Sequence, residues 1–350
     1  MKRIFAITIS LAGLFFGGCG QEAVRYMDTD IAMGTVIHQN IYSVTEDETA
    51  TEEILVLIRT LEHETLSRRL EESEVCRINR YFGADSGQDG QSLQISEEMG
   101  LVLENCLRVW ESSRGAFDVT LAPVIAIWDI DGWAGGTREG TFEAPKQQEI
   151  EQALEYCGSG GIELRELPTG YEIRLPKGME LDMGAVGKGI ALDEIESWLM
   201  QRENITGAVI SVGGSILVYG SKPDKSRFKV AITNPSDTAS TIGYLSLEGT
   251  WCISTSGDYE RYVEIDGVRY HHIIDPATGY PADSGVRSVT ILSDRGFLSD
   301  ALSTACFVLG VDEGMKLAEE YDAEVLFVDK EGNIIMSEGM KKYFMPNAAE

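Results

Sequence analysis

The chain has 350 residues, 43% hydrophobic and 25% charged, an ordinary globular balance that suits one large domain or two small ones. Its formal net charge of −28 repels nucleic acid and anionic headgroups, so neither is expected as a partner, and an anionic substrate would need a local cation, a metal or a helix N-terminus. Six cysteines without a CxxC pair argue against a zinc site; Cys76, Cys106, Cys157, Cys252 and Cys306 read as buried thiols rather than a disulfide framework.

At the start, Lys2 and Arg3 precede an apolar run from Ile4 to Phe16, followed by Gly17, Gly18 and Cys19. A charged start, a short apolar middle and small residues are the layout of a secretory signal. Cys19 directly after two glycines resembles a bacterial lipobox. That resemblance implies cleavage before Cys19, a diacylglyceryl group on its sulfur, and a lipid-anchored chain on the extracytoplasmic face of the cell membrane. The alternative is an ordinary signal peptide with an incidental Cys. Residues 1–18 are thus expected as signal peptide, 19–30 as tether and 31–345 as a single domain. No other stretch approaches the ~18 continuous apolar residues of a spanning helix.

Residues 31–43 alternate like a strand after Gly34, and Ile54, Leu57, Ile58, Leu61 and Leu66 predict a helix within 49–70. Residues 83–92 read as a Gly-rich loop. A helix is expected from Ser96 to Ser113, with Ser96 as N-cap, Glu97 and Glu98 in its first turn and Gly115 beyond its end. Residues 129–145 are Gly- and Asp-rich, and a helix follows near 146–157. From 162 onward IELRELPTGYEIRL predicts two strands about a turn, and LDMGAVGKGIALDEIESWLM a Gly-rich loop feeding a helix. Strands are expected in AVISVGGSILVYG, FKVAIT, IGYLSLE, WCISTS, YVEIDG, RYHHIID and VRSVTILS, with Asp266-Gly267 as a hairpin turn. LSDALSTACFVLG and EGMKLAEEY read as helices, AEVLFVD and NIIMSE as a closing hairpin. Helices and strands interleave without a βαβ rhythm, so the fold class is α+β.

Four features could carry chemistry. Gly184-Ala185-Val186-Gly187-Lys188-Gly189 runs into a helix, where backbone N–H groups receive phosphate and Lys188 adds charge; a plain tight connection is the alternative. Asp300 and Thr304, four apart on a helix, share a face and are hard oxygen ligands suited to Mg²⁺, or else a first-turn acid and a packed core residue. His271 and His272 sit on a strand with one facing in and one facing out; either a general base or a structural pair fits them. Gly213-Gly214 suggests a close backbone approach, and Ser254-Thr255-Ser256-Gly257 lacks the context of a serine nucleophile.

In chain order, Met33-Gly34-Thr35, SRRLEESEVCRIN (67–79), SRGAFDVTLAPVIAIW (113–128), LDMGAVGKGIALD (181–193), SVGGSI (211–216), STSGDYERY (254–262), HHIIDPATGYPADSGVRSVTI (271–291) and SDALSTACFVLG (299–310) resemble the ApbE family of FAD:protein FMN transferases. The resemblance covers nearly all of the chain after Cys19. It implies an ApbE-like fold and an enzyme that splits FAD with Mg²⁺ and moves FMN onto a Ser or Thr of another protein, releasing AMP. That partner would be an extracytoplasmic flavin-accepting protein or a redox-complex subunit. By the same resemblance Met33, Ala116, Phe117, Asp118, Asp182 and Lys188 would contact FAD. The backbone carbonyl of Ala185 with Asp300 and Thr304 would hold Mg²⁺, and His272 would be the base. Some family members carry a further acidic metal ligand three residues before the Asp of the Asp-x-x-x-Thr pair; here that position is Phe297. The rivals are an FAD pyrophosphatase, which uses water as the nucleophile, and a non-catalytic flavin-binding lipoprotein.

The N-terminal reading is checked by mass spectrometry of the chain made in a competent bacterial host. An N-terminus at an acylated Cys19 is expected; an unmodified N-terminus elsewhere overturns it.

Overall fold

The computed structural model describes residues 23–84, 86 and 90–347, so the signal segment and Cys19 lie outside the described residues. In chain order the first half holds β1 (Val24–Ala32), β2 (Thr35–Ser43), α1 (Ala50–Thr60) with a π-helical turn at Leu61–Leu66, α2 (Glu74–Phe82), β3 (Leu93–Ile95), α3 (Glu97–Ser112), α4 (Ala122–Trp128), α5 (Ile130–Ala134), α6 (Gln147–Leu154), β4 (Glu163–Glu166) and β5 (Tyr171–Arg174). The second half holds α7 (Gly187–Met200), β6 (Ile205–Val212), β7 (Ser215–Gly220), β8 (Phe228–Asn234), β9 (Asp237–Leu247), β10 (Trp251–Gly257), β11 (Tyr262–Ile265), β12 (Val268–His271), β13 (Val286–Ser293), α8 (Gly296–Leu309), α9 (Val311–Glu320), β14 (Glu324–Asp329), β15 (Ile334–Met336) and β16 (Phe344–Pro346).

An eight-stranded antiparallel sheet in the order β1-β2-β6-β7-β10-β13-β14-β15 forms the frame. Its central strand β13 is buried along nearly its whole length because both faces are covered. On one face Val289 and Ile291 pack with Ala301, Leu302 and Phe307 of α8. On the other, Leu292 packs with Phe228, Val230 and Leu245 of the small sheet β16-β9-β8. Helices α1 and α7 cover the β2–β6 end of the first face through Ile54, Ile58, Ile195 and Leu199. The α+β expectation holds.

The turn chemistry read from the sequence is realised. Ser96 caps α3 by accepting the Met99 N–H at 3.1 Å. Asp266 and Gly267 take φ of +50° and +77°, the left-handed pair that a two-residue hairpin between β11 and β12 requires. Met33 and Gly34, at +51° and +67°, do the same between β1 and β2. Three readings need correction. The tether is shorter than 19–30, because β1 starts at Val24 and pairs in register with β2, Val24 opposite Ser43. As an edge strand with one face open to water, it carries mixed exposed residues that hide its alternation. The helix expected within 49–70 ends its regular part at Thr60. Helices α2, α4 and α5 were not foreseen; α4 (APVIAIW) is apolar on all sides and so has no amphipathic period to read.

Helices α7 and α8 cross with their backbones touching. A Cβ on Gly189 would stand 2.2 Å from the Gly296 carbonyl oxygen, and one on Gly296 would stand 2.2 Å from the Gly189 oxygen. Neither backbone can yield without separating the helices that carry Lys188 and Asp300. Gly189→Ala and Gly296→Ala are each expected to cost roughly 2–4 kcal/mol of stability, read as a lower denaturant midpoint; an unchanged midpoint refutes this crossing.

Candidate active site

One cleft gathers most of the residues singled out above. It encloses about 1040 Å³ with its open mouth included. Arg68 and Arg69 come from the loop after the π-helical turn, Ala116, Asp118 and Leu121 from the segment before α4, Trp128 to Asp131 from the α4–α5 junction, and Asp182, Gly184, Ala185 and Lys188 from the turn into α7. Thr255, Ser256, Glu260 and Arg261 follow from β10 and its loop, His272 to Ile274 from the segment after β12, and Thr304 from α8.

Behind the lining, Asp300 is 3% exposed and fully engaged. Its Oδ1 lies 3.1 Å from the Lys188 ammonium and accepts from Ser215 Oγ at 3.2 Å, and its Oδ2 accepts the Gly189 N–H at 2.9 Å. A buried carboxylate requires such partners. Asp300 therefore acts as a cap for α7, taking up a donor that the Gly-rich turn would otherwise offer to a phosphate. Ser215 in turn receives the Ser254 hydroxyl at 3.0 Å, and Ser254 meets Ser299 at 2.8 Å. The serines of β10 are thus a supporting network beneath the site, as the absence of a nucleophile context implied.

The two aspartates beside the turn have different tasks. Asp182 pairs with Arg68 at 2.5 Å and accepts the Gly184 N–H at 2.7 Å, which fixes the bend into α7. The carboxylate of Asp118 receives four hydrogen bonds, from the N–H and hydroxyl of both Thr120 and Ser159, at 2.6–3.0 Å. It lines the cleft but is spent on tying its own loop to the turn at Ser159.

The adjacent histidines part as the alternation predicted. His271 is buried; its Nε2 faces the Ala282 carbonyl at 3.0 Å, its Nδ1 accepts the Ile273 N–H at 3.3 Å, and its ring meets Phe307 edge-on. Both nitrogens are occupied. His272 lines the cleft, with Nδ1 3.3 Å from the Arg261 carbonyl oxygen. A carbonyl only accepts, so Nδ1 carries the proton and Nε2 keeps its lone pair. Burial, then the positive charge of Arg261, hold His272 well below the ordinary histidine range, so it is neutral at pH 7.

Of the residues anticipated for this site, Ala116, Asp118, Asp182, Ala185, Lys188, His272 and Thr304 line the cleft, and Asp300 lies directly behind Lys188. Two do not. Phe117 is wholly buried in the main core, because the chain alternates and turns its flanking residues outward. Met33 is outside the lining; its N–H is held by Glu62 Oε2 at 2.8 Å, and its methyl lies 3.2 Å from where a Cβ on Gly187 would stand, so it braces the start of α7. Sequence reasoning missed the apolar part of the lining, Leu121, Ile125, Trp128, Ile130 and Ile274. It also missed the rim, where Asp131 pairs with Arg69 at 3.2 Å and Arg261 at 2.8 Å. The clustering of arginines in so acidic a chain was the available signal.

A model of the ApbE family matches residues 33–327. An FAD:protein FMN transferase of Treponema pallidum is 32% identical over 348 residues, spanning 94% of this chain and 91% of the relative. Another, of Klebsiella pneumoniae, is 30% identical and spans 92% and 94%. Among solved structures, the ApbE protein of Thermotoga maritima matches with a TM-score of 0.80 at 30% identity, over 92% of this chain and 100% of that one. The flavin transferase ApbE of Vibrio cholerae matches at 0.77 and 25%, over 92% and 99%. The spacing of the motifs, the antiparallel frame and the cleft that joins the two halves of the chain agree with these matches, and the chain belongs to the ApbE family.

Proposed function

We propose that this chain catalyses the reaction for which its relatives are named, moving FMN from FAD to a Ser or Thr hydroxyl of a second protein with Mg²⁺ as cofactor. The observation that carries the reading is the meeting of a neutral histidine, a Lys–Asp pair at a helix N-terminus and an apolar aromatic wall in one cleft. The wall suits a flat ring system and the charged turn suits a pyrophosphate. The donor set fits Mg²⁺: Asp300 and Thr304 offer hard oxygens one turn apart on α8, the Ala185 carbonyl belongs to the lining, and a cation, Lys188, already sits against Asp300. When bound, Mg²⁺ neutralises charge on the pyrophosphate oxygens.

The chain's own residues do the rest. His272 Nε2 takes the proton of the acceptor hydroxyl, whose oxygen forms a bond to the FMN-side phosphorus. The bond from that phosphorus to the bridging oxygen breaks, and AMP leaves with the bridging oxygen. Lys188 holds the phosphates at the turn into α7, and Arg68 stabilises that turn through Asp182. Attachment by a lipid at Cys19 to the outer face of the membrane would raise the effective concentration of membrane redox subunits as acceptors. This favours transfer over simple hydrolysis of FAD.

Three outcomes are expected. His272→Ala slows transfer by roughly 10²–10⁴-fold with FAD binding nearly unchanged, while His271→Ala lowers stability instead; the reverse pattern places the base wrongly. Because His272 titrates well below 6.5, kcat/KM stays level as pH falls from 8 to 6.5 and declines only below that. Arg261→Gln removes a positive neighbour, so that decline moves to higher pH; an unshifted profile removes Arg261 from the base's environment. Finally, with FAD, Mg²⁺ and a suitable acceptor, a fluorescent flavin band survives denaturing electrophoresis, and Asp300→Asn abolishes it. Fast release of FMN and AMP without acceptor, and no labelled band across several acceptors, would favour the pyrophosphatase.

A further inference from the structure

The Mg²⁺ site read from the sequence has one carboxylate. The position three residues before Asp300 is Phe297, 3% exposed in the main core with its N–H donated to Asp193 Oδ2 at 2.8 Å. The first turn of α8 therefore presents no second acid to the cleft. Mg²⁺ at a phosphate site is held by one or two carboxylates, and with Lys188 beside Asp300 a second carboxylate would offset the competing positive charge.

A second carboxylate enters from elsewhere. Glu260, on the loop between β10 and β11, lines the same cleft as Ala185, Lys188 and Thr304 and stays open to solvent along it. Its Oε1 lies 2.9 Å from where a Cβ on Gly214 would stand, so the carboxylate rests on the β6–β7 turn at a place only glycine leaves clear. The next residue, Ser215, donates to Asp300 Oδ1 at 3.2 Å. Two carboxylates thus converge on one strand end. Lys188 pairs with Asp300 at 3.1 Å, whereas Glu260 forms no ion pair of its own among the described residues. Two carboxylates and one ammonium leave one net negative charge. A divalent ion in place of the ammonium leaves none, and frees a cation for the phosphates.

We propose that Glu260 is the second carboxylate of the divalent-cation site, with Asp300, Thr304 and the Ala185 carbonyl, and that Lys188 is the resident cation which the metal displaces. The proposal rests on the Mg²⁺ reading above and adds to it a ligand from another element and an exchange of cations. Lys188 is then held in place by Asp300 until the metal arrives, and turned toward the pyrophosphate afterwards.

The test is Mn²⁺ binding to the full chain without FAD, with free Mn²⁺ read by electron paramagnetic resonance. Glu260→Gln is expected to weaken binding at least about 10-fold, and Asp300→Asn at least as much. Lys188→Met, which removes the competing cation, is expected to tighten it about 10-fold. Glu260→Asp keeps the charge on a shorter arm and restores part of the affinity. If Glu260→Gln melts at a lower temperature in EDTA, Glu260→Asp against wild type carries the comparison. Wild-type affinity in Glu260→Gln alongside a loss in Asp300→Asn overturns the role of Glu260 and leaves the metal reading standing. No Mn²⁺ bound by the wild type, or no effect of Asp300→Asn, overturns both. Weaker binding in Lys188→Met overturns the displacement.

Discussion

The structure depends on satisfying one buried carboxylate. Asp300 is placed in the interior by a helix that is apolar almost everywhere else. Ionised there, it must be matched by donors or it destabilises the fold; breaking such a pair costs about 3–5 kcal/mol. Its partners come from two elements: Lys188 and the Gly189 N–H from α7, and Ser215 from β7. Meeting that demand sets the distance between α7 and α8, which is why Gly189 and Gly296 must be bare where the backbones touch. It also sets the Gly-rich turn, since Lys188 can reach Asp300 only if the chain bends sharply before α7, and the Asp182 contact to the Gly184 N–H fixes that bend. The residue that meets this structural requirement is also the one proposed to hold the metal.

The net charge of −28 makes the distribution of cations decisive. Arg68, Arg69, Lys188 and Arg261 all lie in or at the rim of the cleft. Each is paired or flanked by an acid, Asp182, Asp131 or Asp300, so the cleft concentrates charge of both signs and is not simply positive. Such a site can exchange an internal ion pair for contacts to a metal and a phosphate without leaving any charge unmatched. An acidic surface elsewhere weakens non-specific attraction of polyanions and leaves the compensated cleft as the place where one is received.

How much of this could be read from sequence follows from how far each signal reaches along the chain. Local signals were faithful: the Ser96 cap, the Asp266-Gly267 turn, the alternation that sends His271 inward and His272 to the cleft, and the i, i+4 placement of Asp300 and Thr304. Elements without a local period were not legible, such as α4, apolar on every side, and the edge strand β1, open to water on one face. The site itself was legible in its motifs but not in its pairings. Lys188 and Asp300 meet across 112 residues, and Asp131 and Arg261 across 130, separations over which no periodicity carries information. Phe117 and Met33 show the converse limit. They stand in the right motif, but one step of alternation or one tight turn points the side chain away from the cleft.

The two sides of the cleft differ in how readily they can move. The side formed by α7, α8 and β10 is continuous with the main sheet, and its polar groups are buried. The side formed by α4 and α5 with the β11–β12 hairpin packs on its own aromatic cluster, where Trp128 stands against Phe142, Tyr270 and Tyr280 and donates to the Gly279 carbonyl at 2.7 Å. This cluster is joined to the rest of the rim through Asp131, whose pairs with Arg69 and Arg261 are substantially exposed. Exposed pairs of this kind contribute only about 0–1 kcal/mol. The rim can therefore be loosened at small cost while the Asp300 centre stays fixed. A transferase needs that asymmetry. In the proposed reaction the phosphates would require a rigid seat, because in-line displacement depends on position. In the proposed reaction the acceptor is a segment of another protein, which would have to pass the rim to bring its hydroxyl to His272. Concentrating the buried polar network on one side and the exposed ion pairs on the other allows both within a single fold.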